Sequence, residues 1–244
     1  MENKVKRLEL LVVNGDQSKP LSFEVRRMVN AGYVGRNLEA VKAHIEELRR
    51  EGITPPPSVP MLFPVLSDNI TTGNEIEVVG SKTSGEVEFV LLLHREDIFV
   101  GVGSDHTDRD LERQSIIKSK QICPNILSRK VWRYKEVQPR WDELLLQSWV
   151  KRDHGDEEIL YQKAYLGSLL SAADLLELVE SKMDDWSDGK QGLVIFSGTV
   201  PILTKDFMYG SSFRGELIDS RLNRMLTCDY RIKKLDYLRG AGTI

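Results

Sequence analysis

The sequence predicts an α+β fold, rich in strands and flanked by a few helices. Three observations carry this. Short apolar runs recur at close spacing, separated by Gly, Asn, Asp and Ser, which is the signature of mainly antiparallel sheet. Helical periodicity is strong in only two segments. At 244 residues the chain has the size of one or two domains, and no linker or repeat divides it. One compact domain is expected, with residues 1–30 as an N-terminal hairpin segment and 31–244 as its main body.

Leu8 to Val13 is an apolar run, and Gly15-Asp16 followed by Pro20 turns the chain toward a second run, Leu21 to Val25, so a hairpin is predicted. From Leu38 to Arg50 the apolar residues Leu38, Val41, Ile45 and Leu48 recur at helical intervals, with Gly52 as stop and Pro55-Pro56-Pro57 beyond. Candidate strands follow at Met61 to Leu66, Ile76 to Val79, Val87 to Leu93 and Ile98 to Val102. Ser171 with Asp174 three residues on, ahead of an apolar face, marks a second helix start. Strands return at Leu193 to Phe196 and near Tyr230 to Leu235.

Composition narrows the function. Against 37 acidic residues stand 34 basic ones, scattered along the chain, for a net charge of −3, which argues against nucleic acid as a partner. No apolar run approaches the ~20 residues of a membrane span. A polar N-terminus without an apolar leader and only two cysteines, Cys123 and Cys228, lead us to expect a reducing, cytoplasmic setting.

Glu86 and Glu88 lie two apart on a predicted strand, so their carboxylates project from one face and one cation can reach both. Asp105, just past the next strand, offers a third oxygen ligand. Such a set suits a hard ion, Mg²⁺ or Mn²⁺ with Ca²⁺ as a further option, rather than zinc. Alternating Glu and apolar residues is also what any strand with one wet face shows, and Glu75-Ile76-Glu77 repeats the spacing a few residues earlier.

At this point the residues resemble the fumarylacetoacetate hydrolase superfamily, whose members bind a divalent metal through a Glu-x-Glu strand and a later Asp. Gly35-Arg36-Asn37, then His44-Ile45-Glu46-Glu47 and Pro60-Met61-Leu62-Phe63, are similar to its Gly-Arg-Asn, His-x-x-Glu and Pro-x-x-Phe blocks. Asn74 to Val78 falls on the strand before the metal pair, and Glu86-Val87-Glu88 on the pair itself. Ser104-Asp105-His106-Thr107-Asp108-Arg109-Asp110-Leu111 resembles Asn-Asp-x-Ser-x-Arg-Asp-Leu. Lys118-Ser119 ahead of Pro124 looks like the active-site Lys-Ser, and Gly192 to Thr199 like the Gly-Asp-x-Ile-x-x-Gly-Thr strand.

The resemblance runs from about Gly32 onward and implies a mixed β-roll or barrel with flanking helices. It implies metal ligands Glu86, Glu88 and Asp105, catalytic residues His44, Glu47 and Lys118, substrate contacts from Arg109, Gly198 and Thr199, and a homodimer. The implied substrate is a small keto acid or 1,3-dicarbonyl compound that chelates the ion. The implied reaction is C–C hydrolysis, decarboxylation, isomerisation or hydration through a metal-stabilised enolate. The alternative is a non-catalytic member that keeps the metal and binds ligand.

Three features set the chain apart: a short interval between Glu88 and Asp105 that predicts a direct turn at Arg95-Glu96-Asp97, extra residues between Asn37 and His44, and Gly198-Thr199-Val200 in place of Gly-Thr-Pro. They suggest a divergent branch, similar to a family catalogued only as a domain of unknown function. From the residues alone, His44 and Glu47 share a helical face for which a solvated surface is the better reading, and the resemblance brings the two readings level. Lys118 fits an exposed lysine, Thr199 a strand-end turn, and His106 a partner of Asp105 or a loop histidine. Cys123 lacks an evident base.

Overall fold

A computed structural model describes residues 5–50, 55–56, 58–153, 155 and 157–237, with the side chains of residues 40, 43, 44, 47, 48 and 50 outside the description. The expected Gly52 stop and the side chains of His44 and Glu47 therefore lie outside the described residues.

The chain opens with β1 (Lys6–Asn14) and β2 (Gln17–Val25), which pair antiparallel from Lys6↔Val25 to Asn14↔Gln17. Gly15, at φ +56°, makes the tight turn between them. Next come β3 (Arg27–Gly32), α1 (Leu38–Arg50), β4 (Met61–Val65), β5 (Ile70–Thr71), β6 (Glu75–Val78) and β7 (Thr83–Ser84). Asn37 caps α1, its Oδ1 accepting from the Glu39 N–H at 3.1 Å. The long pair β8 (Val87–His94) and β9 (Asp97–Asp105) is joined directly at Arg95-Glu96, where Arg95 takes φ +55°, as the short interval predicts.

Then follow β10 (Thr107–Asp108), α2 (Arg109–Glu112), α3 (Ile116–Ile122), β11 (Asn125–Leu127), β12 (Lys130–Arg133) and α4 (Tyr134–Val137). The C-terminal half holds β13 (Leu145–Lys151), β14 (Glu158–Tyr165), α5 (Ala172–Lys182), α6 (Trp186–Gly189), β15 (Leu193–Phe196), β16 (Ser212–Asp219) and β17 (Arg224–Lys234). At the start of α5 the Ser171 hydroxyl accepts from the Asp174 N–H at 3.1 Å, and the Asp174 carboxylate accepts from the Ser171 N–H at 3.3 Å, a reciprocal cap.

Two sheets dominate. The larger runs β2-β1-β12-β9-β8-β15-β3-β4, with β11 joining β9 to β5, and the smaller runs β14-β13-β16-β17-β6. The larger one curls, so that Asn125 on β11 reaches Asn30 on β3 at 3.0 Å. Its central strand β8 is buried along nearly its whole length. Val90 and Leu92 face the inside of the curl, with Leu10, Phe23, Met28, Val194 and Phe196. Phe89 and Leu91 face the other way, into the core shared with Phe213, Leu217 and Tyr230 of the smaller sheet. Among the described residues, no helix is long and apolar enough to cross a membrane.

Candidate metal centre

Side chains two apart on a strand share a face, so Glu88 continues the inward row of Val90 and Leu92 to the end of the curl. Glu86 follows it. Across the ladder Glu88 stands opposite Gly103, and the Asp105 N–H donates to the Glu86 carbonyl at 3.1 Å, which turns Asp105 to the same face. The outcome is a cluster in which ligand atoms of Glu86, Glu88 and Asp105 all lie within 4.8 Å of one another. Asp105 is 0% and Glu88 1% exposed, and the Glu86 side chain is 19% exposed. The opposite pair of sequence look-alikes differs at once: Glu75 and Glu77 are exposed on β6 and pair with Arg231 at 3.1 Å and Lys233 at 2.8 Å on the adjacent β17.

Basic groups hold the acids in place. Asp108 caps α2, and the following Arg109, 3% exposed, donates from Nε to Ser84 at 2.7 Å and pairs with Glu112 at 2.8 Å and Glu86 at 3.1 Å. The Phe207 ring lies 4.2 Å from its guanidinium carbon. Lys120 on α3 places its Nζ against Asp105 Oδ2. The Gly198 N–H donates to Glu88 Oε2 at 2.9 Å. That turn needs glycine, because φ is +83° and a Cβ would stand 2.7 Å from Val34 Cγ2 and 3.0 Å from the Ala31 carbonyl oxygen.

Electrostatics expose an imbalance. Four carboxylates, Glu86, Glu88, Asp105 and Glu112, interact with two cations, Arg109 and Lys120, so with every group ionised two negative charges lack a counterpart. Burial pushes the Glu86 carboxyl above its ordinary range despite Arg109, and burial with the neighbouring Asp105 pushes Glu88 well above it. Burial works against the Lys120 charge, but Asp105, Glu86 and Glu88 outweigh it and raise its pKa. A hard divalent cation fits this donor set in ligand type, in convergence and in charge.

The remaining expected residues are distributed unequally. Lys118 is exposed, and Lys120 is the lysine that meets the cluster. Successive residues of a helix turn through 100°, so only one of two lysines spaced two apart can face inward. Arg109 and Gly198 touch the carboxylates rather than open space. The Thr199 hydroxyl donates to the Val87 carbonyl at 2.8 Å and accepts from Gln162 at 2.7 Å. His106 leaves the strand on the face opposite Asp105 and is locked between Tyr230 at 2.9 Å and Thr83 at 3.0 Å. Burial drives its pKa down to about 3. The buried Cys123 thiol is pushed up to about 12 by burial, which removes it as a nucleophile at neutral pH.

Sequence reasoning missed Lys120, Glu112 and Gln162. The Gln162 carbonyl oxygen accepts from the Val87 N–H at 3.1 Å and its amide reaches Thr199 and the Val200 carbonyl, both at 2.7 Å, so it ties the metal strand to the 198–200 turn. Nothing in the sequence marked it, because its strand also carries Glu158 and Lys163.

Residues 31–230 match the profile of a family described as protein of unknown function (DUF2848). No curated protein matches the sequence. Three solved structures share the fold. A 5-carboxymethyl-2-hydroxymuconate delta-isomerase from Mycobacterium smegmatis superposes with a TM-score of 0.58 at 15% identity, over 94% of this chain and 99% of that one. A 2-keto-3-deoxy-D-arabinonate dehydratase complexed with magnesium and 2,5-dioxopentanoate gives 0.58 at 15% identity, over 91% and 78%. Cg1458 with an inhibitor gives 0.62 at 15% identity, over 90% and 84%. At such identities the likeness establishes the fold, that of the fumarylacetoacetate hydrolase superfamily.

Proposed function

Because the chain belongs to DUF2848, a family of proteins of unknown function, and here carries the fumarylacetoacetate hydrolase fold, we propose a function from its site: a divalent-metal-dependent enzyme acting on a small keto acid or 1,3-dicarbonyl compound. The observation that supports it is the convergent trio Glu86, Glu88 and Asp105, which with Glu112 outnumbers the neighbouring cations Arg109 and Lys120 by two. When bound, an Mg²⁺ or Mn²⁺ ion supplies the positive charge that stabilises an enolate as a C–C bond breaks or an α-proton leaves. The magnesium and dioxopentanoate of the dehydratase complex are in keeping with this chemistry.

The chain's own residues divide the remaining work. Lys120, held protonated by its acidic neighbours, donates to a developing oxyanion. Arg109 fixes Glu86, and the Gly198 N–H fixes Glu88. Thr199, through Gln162, keeps the 198–200 turn against β8. His44, oriented by Glu47, is our proposed general base. On that assignment His44→Ala lowers kcat by a factor of about 10² to 10⁴ with metal affinity unchanged, and Glu47→Gln acts in the same direction and non-additively. Full turnover in both variants would exclude the pair.

Calorimetry with Mn²⁺ tests the centre itself. Glu86→Ala and Glu88→Ala should lose binding of one ion per chain, whereas Glu75→Ala should keep it, and equal loss in all three would sink the assignment. Turnover of an acylpyruvate and oxaloacetate panel then selects the reaction. One observation favours the second reading, a metal and ligand-binding protein without turnover: of the described histidines, His106 is locked away from the cluster and His94 packs by Phe23. We further propose a homodimer in the cytoplasm, in keeping with two free, buried cysteines.

A further inference from the structure

Beneath the acidic cluster, at the end of the apolar interior of the curl, lie two carboxamides. Asn30 and Asn125 are both 0% exposed. Asn125 stands directly opposite Asp105 in the β9–β11 ladder, so the two side chains leave the sheet on the same face. Asn30 stands beside Phe196 on β15 and opposite Phe63 on β4. Phe196 packs where a Cβ on Gly103, the residue facing Glu88, would fall 2.7 Å from its ring. The Lys120 Nζ lies 5.6 Å over the Phe63 ring. Both amides thus neighbour the Lys120–Asp105 pair through Asp105 and Phe63.

The Asn125 Nδ2 donates to Asn30 Oδ1 at 3.0 Å. Asn30 Nδ2 and Asn125 Oδ1 are buried without a partner among the described residues. Turning both amides over exchanges the atoms but preserves the count: one donor and one acceptor stay free. Two leucines would fill the same volume without that cost. The unmet pair therefore marks a place for a guest. A cation is repelled by the free N–H, and a carboxylate, which only accepts, would leave the free carbonyl unmet. A hydroxyl meets both needs at once, accepting from one amide and donating to the other.

We infer that Asn30 and Asn125 form a hydroxyl-binding subsite in the floor of the metal centre, and that the substrate is a small 2-keto acid bearing a hydroxyl group. This rests on the metal-dependent reading above and narrows its substrate class.

The test is calorimetry on Mn²⁺-loaded protein with pyruvate, 3-hydroxypyruvate and 4-hydroxy-2-oxobutanoate. At least one hydroxylated acid should bind about tenfold more tightly than pyruvate. In Asn30→Leu/Asn125→Leu the ratio should fall to about one, with Mn²⁺ binding as the check that the protein is folded. The single variant Asn30→Leu, which has no N–H to donate, should lose the preference as well. Binding of Mn²⁺ and pyruvate with no hydroxyl preference would overturn this inference alone and leave the amides holding a buried water. A preference that survives in the variants would overturn it too. Failure of Mn²⁺ to bind would instead bring down the functional reading on which it rests.

Discussion

Glu88 is buried to 1% exposure and accepts the Gly198 N–H, yet burial, Asp105 and Glu86 raise its carboxyl well above the ordinary range. A pKa higher in the folded than in the unfolded chain means that the folded protein holds the proton more tightly. Its contribution to stability is complete below the ordinary carboxylate pKa and is lost as pH rises through the folded-state value. Chelator-treated protein should therefore melt at a lower temperature at about pH 7.5 than its Glu88→Gln variant does, relative to each protein at about pH 5. Added Mg²⁺, which replaces the proton, should raise the wild-type melting temperature more at the higher pH. A magnesium effect equal at both values would contradict this linkage. Gly198 offers a steric counterpart: Gly198→Ala puts a methyl 2.7 Å from Val34 Cγ2 at a positive φ, for a loss of about 1–3 kcal/mol in denaturant titration, and weaker cation binding as Glu88 loses its donor.

Helix α3 shows what an element adds to its residues. It turns Ser119 and Lys120 inward and Lys118 outward, so the two lysines should respond to substitution in opposite ways. Lys118→Ala should stay within about 0.5 kcal/mol of wild type, while Lys120→Ala strands buried Asp105 and should cost about 3–5 kcal/mol. Urea unfolding of both decides it, and a matching pair of values would refute the assignment. Spacing to Pro124 could not choose between them, because it does not fix the phase of the helix. The β1–β2 hairpin, the direct β8–β9 turn and the Ser171 cap were legible because turn and cap chemistry is local. Strands β13, β14 and β16 were not, since their buried positions include Gln147, Ser148, Gln162 and Glu216, which blur the apolar alternation. The two Glu-x-Glu pairs have identical spacing. What separates them is position in a sheet: β6 is an edge strand with basic partners beside it, and β8 is central.

Across the whole molecule, the larger sheet brings together groups far apart in sequence, with Asn30, Asp105, Lys120 and Gly198 arriving at one end of its curl. The proposed homodimer is a property of this scale, and light scattering at micromolar concentration should give twice the chain mass, whereas a monomer would count against it. One further consequence follows from the ligand hairpin. All three carboxylates ride on the single stretch 86–105, whereas the two amides proposed to read the substrate, at 30 and 125, come from elsewhere in the chain. Cation affinity and choice of substrate are thereby under separate genetic control: a lineage can alter what it consumes by drift at the outlying positions while the hairpin is inherited intact. A library randomised at 30 and 125 over an invariant hairpin should accordingly yield mostly cation-binding clones with divergent appetites.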